Sequence, residues 1–232
     1  MREFVRTWLF PPACVACDAP GPALCAACGP SARDALTFEV GGVPAFALGR
    51  YEGALRRAIV AMKNGERDPL DAFAALLAAR ASLDGAVVPL PTTRGRVLDR
   101  GFDQSVELAR RLAALRGVAC ADVLEKRGVP QAGRNRRGRL AAADRFRVRR
   151  GAAWSGATAT PTTATPSTTA SASTLPTVAT LLDDVCTTGA TVRDAARVLR
   201  EAGVKVRRVV VLARTAEPHA AEAEPTAAET GR

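Results

Sequence analysis

Two adjacent carboxylates stand directly before a turn that is rich in threonine and glycine. Asp183 and Asp184 follow an apolar segment, and the next residues, through Thr191, read Val-Cys-Thr-Thr-Gly-Ala-Thr. A helix that begins after such a turn presents unpaired backbone N–H groups and partial positive charge, which stabilise a phosphate. Gly189 permits a tight turn and a close approach of the backbone. The segment therefore predicts a phosphate-binding turn whose two carboxylates accept hydrogen bonds from the vicinal hydroxyls of a ribose.

A simpler interpretation of the same segment is an acidic turn followed by a threonine-rich helix cap. The segment lies outside the Walker pattern because no lysine follows Gly189. Two acids at a strand end together with Thr-Thr-Gly-x-Thr favour the phosphate site over the cap. Cys186 is expected to pack rather than to act as a nucleophile. The single histidine, His219, lies in the tail, which argues against histidine-based acid–base chemistry.

A second set of chemically active residues lies near the N-terminus. Cys14, Cys17, Cys25 and Cys28 form two C-x₂-C pairs that are separated by seven residues. Each pair brings two thiolates to one ion, and four sulfur ligands in a tetrahedron select Zn²⁺. Two disulfides are the alternative, and they are typical of secreted domains. The spacing predicts a zinc-binding knuckle over residues 8–32 in which the metal is structural, because protein ligands fill all four coordination positions.

Positive charge is concentrated in one segment. The net charge is +10, and residues 126–150 contain ten Lys or Arg residues and one acid, Asp144, which gives +9 for this strip. Such density attracts polyanions such as phosphate, pyrophosphate or nucleic acid. The alternative is a solvated arm with no ligand. Phe146 and Trp154 are the local aromatic candidates for stacking on a nucleic-acid base.

Strands and helices must position these residues. Apolar runs predict strands over residues 43–51, 87–90, 118–123, 178–182 and 206–213. Helical periodicity and capping residues predict helices over residues 54–63, 70–81, 103–117 and 191–202. Alternation of the two element types predicts an α/β fold with a Rossmann-like parallel sheet.

Composition divides the 232 residues into a main domain and flanking pieces. The main domain is predicted over residues 43–214. Residues 156–176 consist mainly of Thr, Ala, Ser and Pro without charge, which predicts a flexible insert, and residues 215–232 predict a disordered tail. No run approaches the ~18 apolar residues of a membrane span, and no signal peptide is apparent. The sequence therefore predicts a soluble, cytoplasmic protein.

The phosphate turn resembles the motif that binds phosphoribosyl pyrophosphate (PRPP) in type I phosphoribosyltransferases. Other segments are similar to the ComF family of competence-associated proteins: the four cysteines after Leu9-Phe10-Pro11-Pro12, Met62-Lys63-Asn64-Gly65, Val88-Pro89-Leu90-Pro91, Arg94, Arg100-Gly101-Phe102-Asp103-Gln104 and Pro130-Gln131. The resemblance covers residues 8–214 without the insert. The chain departs from the family pattern at Thr92 and Thr93 in place of a histidine, and at Asp103 and Ala142 in place of asparagines.

The resemblance implies a type I phosphoribosyltransferase fold and displacement of pyrophosphate from C1 of the ribose, with Mg²⁺ offsetting charge on the leaving group. The residues that it assigns to PRPP are Asp183, Asp184, Val185, Cys186, Thr187, Thr188, Gly189, Ala190 and Thr191. It assigns catalytic roles to Asp183, Asp184 and Arg94. Arg94 and the backbone of residues 90–93 would form a pyrophosphate loop, with Arg100 and Arg136 as further candidates, and residues 126–139 would form a mobile lid.

The same resemblance implies partners. It associates the chain with uptake of single-stranded DNA during natural transformation and with other DNA-uptake proteins. Two functions therefore remain open from the sequence: a phosphoribosyltransferase with an unidentified acceptor, and a PRPP-regulated nucleic-acid-binding module without turnover.

Overall fold

The computed structural model of the chain describes residues 12–127, 145–149 and 175–216. Its strands are β1 (Leu36–Val40), β2 (Val43–Arg50), β3 (Ala86–Pro89), β4 (Leu124–Lys126), β5 (Phe146–Val148), β6 (Val178–Cys186) and β7 (Lys205–Arg214). Its α-helices are α1 (Gly53–Lys63), α2 (Pro69–Arg80), α3 (Arg94–Arg100), α4 (Gln104–Arg116) and α5 (Ala190–Glu201), and a short 3-10 helix spans Ala32–Asp34. The predicted tail from residue 217 onward lies outside the described residues, as does the predicted insert except at residues 175 and 176.

Five strands form the central sheet in the order β1-β2-β7-β6-β3. The strands β2, β7, β6 and β3 are parallel, and β1 is an antiparallel edge strand that pairs with β2. Gly41 and Gly42, both at positive φ, form the tight turn between β1 and β2. The prediction of a mixed α/β fold with a mostly parallel sheet is confirmed.

The core lies on both faces of this sheet. Successive strand residues point to opposite faces, so that Leu181 packs in one apolar cluster and Leu182 in the other. The face of Leu182 is covered by α1, α2 and α4, whereas the face of Leu181 is covered by α5 and by the β4–β5 hairpin. A parallel strand buried on both faces needs a continuous apolar run, which is the reason that residues 178–182 stood out in the sequence.

Local capping residues mark the ends of the helices. Asp103 accepts hydrogen bonds from the N–H groups of Ser105 and Val106 at 3.1 and 3.3 Å at the start of α4. Gly117, where φ is 60°, is the C-cap that follows its last residue. Pro69 occupies the first position of α2. These features confirm the helices predicted over residues 70–81 and 103–117. No helix within the described residues is long and apolar enough to cross a membrane.

One predicted strand is reduced to a single contact. Residues 118–123 form only an isolated parallel bridge between Cys120 and Val87, and the regular strand β4 begins at Leu124. β4 turns away from the central sheet because it pairs with β5 instead, with Lys126 opposite Phe146.

The connections place a crevice at one end of the sheet. The helix α4 follows β3 on one face, and α5 follows β6 on the opposite face. The chain therefore leaves the carboxyl ends of the neighbouring strands β3 and β6 towards opposite faces of the sheet, and such a topological switch point is where open α/β sheets bind ligands.

Candidate functional site

A cavity of about 330 Å³ lies at this switch point. Its charged lining residues are Lys63, Arg96, Arg100, Lys126, Asp183 and Asp184. The four basic residues come from α1, α3 and β4, which are distant in sequence from the two acids at the end of β6. The excess of positive charge favours an anionic ligand.

The two carboxylates are oriented by their own backbone. The N–H of Asp184 donates to Oδ1 of Asp183 at 2.9 Å, and the N–H of Val185 donates to Oδ1 of Asp184 at 2.6 Å. Lys63 Nζ lies 3.0 Å from Asp184 Oδ2. β6 extends to Cys186, four residues beyond the predicted strand, because its pairing with β7 continues that far. Asp183 and Asp184 thus lie within the last four residues of β6.

Burial gives Asp183 an unusual protonation behaviour. Its side chain keeps some solvent contact at the cavity mouth, but burial and the charge of Asp184 raise the pKa of Asp183 to about 8, against the opposing effect of Lys126 and Lys63. Burial also lowers the pKa of Lys126, although Asp183 opposes this. Burial therefore disfavours the charged form of Asp183 in the unliganded protein.

We expect Asp183→Asn to raise the melting temperature by a few degrees, with a gain that grows between pH 5 and pH 8. The folded-state pKa lies above the unfolded value of about 3.9. The folded state therefore binds more protons than the unfolded state across this window, and stability falls as pH rises towards 8. Asparagine does not ionise, so the variant does not lose this stability as the pH rises. Calorimetry at pH 5, 6.5, 8 and 9 tests this against the exposed control Asp99→Asn. A gain that does not change with pH would contradict it.

The turn after β6 has the backbone features of an anion site. Gly189 lies at φ 71°, and a Cβ there would stand 2.5 Å from Val40 Cγ1, so that only glycine fits. The N–H of Arg193 bonds to the carbonyl oxygen of Gly189 at 2.9 Å. Within the described residues, the N–H groups of Thr188 and Thr191 have no hydrogen-bond acceptor. These donors, together with the helix dipole, are available to a phosphate.

The structure divides the predicted PRPP residues between two neighbouring cavities. Asp183, Asp184, Val185 and Thr191 line the cavity at the switch point. The residues Cys186, Thr187, Thr188 and Gly189 line a second cavity of about 440 Å³ beside β1. Gly189 thus borders only the second cavity, and Ala190 is not among the residues that line either one.

The predicted pyrophosphate loop is placed in part as expected. Leu90, Pro91 and Thr92 line the cavity, but Arg94 is exposed and is not among the lining residues. Arg94 is the first residue of α3, and Arg96 and Arg100 are the residues of that helix that face the cavity. Arg96 and Arg100 are four residues apart, and in the sequence this spacing indicates that both lie on the same side of a helix.

Asp103 connects the loop to α4. Its Oδ2 accepts a hydrogen bond from the N–H of Thr92 at 2.7 Å while its Oδ1 caps the helix. One carboxylate therefore positions both the loop and the first residues of α4, among which Gln104 and Ser105 line the cavity.

We expect Asp103→Ala to destabilise the protein by about 1–2 kcal/mol, because it removes an N-cap and leaves the N–H of Thr92 without its acceptor. The conservative Asp103→Asn should be intermediate, since one amide oxygen can replace only one of the two accepting oxygens. Urea unfolding of both variants beside Asp99→Ala measures this. Equal stability of Asp103→Ala and the control would contradict the dual role.

The four N-terminal cysteines form a compact cluster. Their Sγ atoms all lie within 4.8 Å of one another, and all four are free thiols. Two equivalent turns build the cluster, because the N–H of Asp18 bonds to the carbonyl oxygen of Cys14 and that of Gly29 to Cys25, each at 2.8 Å. The prediction of a four-cysteine site near the N-terminus is confirmed. The set fits a tetrahedral metal ion such as zinc.

Ionisation within the cluster is uneven. Burial opposes ionisation of Cys14, but the N–H groups of Cys25 and Ala16 and the neighbouring thiols lower its pKa to about 6. The hydrogen bond with the thiol of Cys17, followed by burial and the other cluster thiols, raises the pKa of Cys28 to about 12. The surroundings thus favour the thiolate at Cys14 and disfavour it at Cys28.

The knuckle packs on the same core as α1 and α2. Cys14, Ala16, Leu24 and Cys28 belong to the apolar cluster that these helices cover. In addition, Arg57 Nε donates to the carbonyl oxygen of Ala16, and Arg80 Nη1 donates to that of Pro30, both at 2.7 Å.

The basic strip is described only at residues 126–127 and 145–149. Phe146 is 1% exposed, with Lys126 Nζ 5.7 Å from its ring centre, so the prediction that Phe146 stacks on a nucleic-acid base is wrong. Burial in the core under the β4–β5 hairpin is the physical reason. Arg136, Trp154 and most of the predicted lid lie outside the described residues, as does His219.

No protein-family model matches the chain, and no curated protein matches it at a significant level of similarity.

Proposed function

We propose that this protein is a PRPP-binding, phosphoribosyltransferase-like protein of the ComF kind, and that PRPP binds at the switch point between β3 and β6. The observation that carries the proposal is the position of Asp183 and Asp184 opposite four basic side chains, beside the N-terminus of α5. PRPP carries a ribose between a phosphate and a pyrophosphate, and each of these three parts has a complementary group here.

The ribose hydroxyls are matched by the two carboxylates. Asp184 pairs with Lys63 at 3.0 Å and is oriented by the N–H of Val185. Its carboxylate can therefore accept a hydrogen bond from a ribose hydroxyl without a change of position. Burial raises the pKa of Asp183, and a hydroxyl donor together with nearby cations would favour its charged form.

The two anionic ends of PRPP are matched by different structures. The 5′-phosphate fits the N-terminus of α5, where the N–H of Thr191 is a donor. The pyrophosphate fits Arg96, Arg100 and Lys126 and the loop at residues 90–92. These cations would stabilise the negative charge that develops on pyrophosphate as its bond to C1 breaks.

Mg²⁺ fits this site through the chemistry of its donors. Carboxylate and phosphate oxygens are the ligands that Mg²⁺ prefers, and Asp183 and Asp184 supply the carboxylates. When bound with PRPP, the ion would neutralise pyrophosphate charge. The protein's residues orient the ribose and hold the leaving group.

Structural Zn²⁺ is the metal that we propose for the cysteine cluster. Four soft sulfur donors satisfy its tetrahedral preference and leave no open coordination position for catalysis. Its role would be to hold the knuckle on α1, the helix whose last residue is Lys63.

The association with single-stranded DNA uptake rests on the resemblance to the ComF family. The described part of the basic strip does not add to it, because Arg147 and Arg149 pair with Glu125 and Asp122 at 2.7 and 3.2 Å. The described structure therefore supports PRPP binding better than it supports nucleic-acid binding without turnover.

Calorimetric titration of PRPP with Mg²⁺ into the zinc-loaded protein tests the proposal. We expect PRPP to bind at least about tenfold more tightly than ribose 5-phosphate or pyrophosphate alone, since only PRPP engages all three parts of the site. Equal affinity for PRPP and pyrophosphate would reduce the cavity to a general polyanion site and overturn the proposal.

A further inference from the structure

The four cysteines of the cluster differ in how far solvent reaches them. Cys14 is fully buried and Cys28 is 9% exposed, whereas Cys17 is exposed and Cys25 is half-buried. Each C-x₂-C pair therefore holds one thiol that packs in the core and one that solvent reaches. A reagent dissolved in water meets Cys17 and Cys25 before it meets either of the buried thiols.

The two accessible thiols are neighbours although they belong to different C-x₂-C pairs. Sγ of Cys17 lies 3.7 Å from Sγ of Cys25, and seven residues separate them in the chain. Sulfur atoms at this separation need only a small local movement to reach the bonding distance of about 2 Å. A bond across this accessible pair, Cys17 and Cys25, joins two thiols that solvent reaches, whereas a bond within either C-x₂-C pair must include a buried one.

The two buried thiols are held by the core. Cys14 and Cys28 pack in the apolar cluster that α1 and α2 cover. Sγ of Cys14 also lies 3.5 Å from the backbone nitrogen of Cys25, and Nε of Arg57 ties the first turn to α1 through the carbonyl oxygen of Ala16. Exposure of either buried thiol to an oxidant would separate the knuckle from α1 and lose this apolar burial. Oxidation is therefore directed to the accessible pair.

We propose that the accessible pair is a redox-sensitive modification site, at which hydrogen peroxide forms a Cys17–Cys25 disulfide and releases the metal. The inference rests on the zinc that we propose for the cluster. The thiolate sulfur of Cys17 attacks one oxygen of the peroxide, the O–O bond breaks, and the other oxygen leaves as hydroxide. The thiolate of Cys25 then attacks the sulfur of Cys17, an S–S bond forms, and a second hydroxide leaves. Solvent protons convert both hydroxides into water, so that two thiolates are oxidised and one peroxide is reduced.

Oxidation of the accessible pair removes two of the four proposed ligands. A disulfide sulfur carries no negative charge, and the sulfur ligand of Zn²⁺ is the thiolate. Cys14 and Cys28 alone leave half of the tetrahedron without a protein ligand, so that the ion is released. Reduction of the disulfide restores both thiolates, and the site can then be filled again.

Release of the metal is the first readout. Zinc-loaded protein is treated with a small excess of hydrogen peroxide, and a chromogenic chelator measures the zinc that is released. We expect about one zinc per chain, the full content of one four-cysteine site, and recovery of the metal after treatment with dithiothreitol and added zinc. The variant Cys120→Ser is the control and should release zinc as the native protein does, because Cys120 is half-buried and lies outside the cluster.

Differential labelling identifies the oxidised thiols. In samples taken early in the release, before a second disulfide could form, free thiols are blocked with N-ethylmaleimide, and disulfides are then reduced and labelled with iodoacetamide. No Lys or Arg lies between Cys14 and Cys28, so trypsin leaves all four cysteines in one peptide and tandem mass spectrometry locates each label. We expect iodoacetamide on Cys17 and Cys25, and N-ethylmaleimide on the two buried cysteines.

The outcomes separate this inference from the proposed metal. Iodoacetamide on Cys14 with Cys17, or on Cys25 with Cys28, would place the first disulfide within a C-x₂-C pair and overturn the assignment. Zinc that stays bound after the Cys17–Cys25 disulfide has formed would overturn the link to metal release. Protein that is purified without zinc but forms the same disulfide supports the accessible pair and refutes the proposed structural metal. PRPP enters none of these measurements, so their results are independent of the proposed PRPP site.

Discussion

The double variant Asp183→Ala/Asp184→Ala is expected to bind PRPP at least about 100-fold more weakly than the native protein. Each hydrogen bond from a ribose hydroxyl to a charged carboxylate contributes roughly 1.5–3 kcal/mol. Two such bonds therefore account for about 3–6 kcal/mol, and every 1.4 kcal/mol corresponds to a tenfold change in affinity. Titration of PRPP with Mg²⁺ into the zinc-loaded variant measures the loss.

The direction of the change separates a ribose site from simple charge attraction. Removal of two acids makes the cavity more positive, since Lys63, Arg96, Arg100 and Lys126 remain. Pyrophosphate titrated without Mg²⁺ should therefore bind the variant as tightly as the native protein or more tightly. If the double variant bound PRPP more tightly than the native protein does, as expected for pyrophosphate, the carboxylates would have no role in recognising the ribose. Asp99→Ala, at an exposed position, is the control for loss of a carboxylate.

Removal of metal from the cysteine cluster is expected to lower the melting temperature by at least about 10 °C. Cys14 and Cys28 are buried in the core that α1 and α2 share, so that loss of the ion leaves uncompensated thiolates or unfilled hydrogen bonds inside the protein. A few kcal/mol of lost stability corresponds to a shift of about this size in a chain of this length. Calorimetry before and after chelation measures the shift.

The metal content itself must agree with this prediction. Elemental analysis of protein purified without chelator should give one zinc per chain, and Cys14→Ser should lose both the metal and the stability. Cys120→Ser is the matched control, because Cys120 is half-buried and lies outside the cluster. A zinc content near zero in well-folded protein would refute the structural metal.

The parts of the site that could be predicted are those with local causes. The two C-x₂-C pairs predicted the cysteine cluster because each pair closes its own turn, and one short loop joins them. The segment from Asp183 to Thr191 predicted a turn after a buried strand for the same reason. The helix from Asp103 to Gly117 was readable from its two caps.

The parts that were missed have distant causes. Arg96 was not among the predicted residues, but α3 places it at the cavity together with Arg100, which was a candidate. That helix has no buried residue within it, so no apolar period indicated either the helix or the side that faces inward. Phe146 was a candidate for stacking on a nucleic-acid base because it lies within the basic strip, but pairing of β4 with β5 buries it.

The sequence by itself determined four helices, four strands of the mostly parallel sheet and the two local motifs, because backbone capping, apolar periodicity and cysteine spacing act over a few residues. The tertiary structure alone decided which charges face one another. Lys63 reaches Asp184 because α1 and β6 end at the same edge of the sheet, and Gln104 faces the same cavity because Asp103 holds its helix against the loop after β3. Such contacts between distant residues depend on the order of the strands and on the faces that their helices cover. This order is set by burial of the whole core rather than by any one segment.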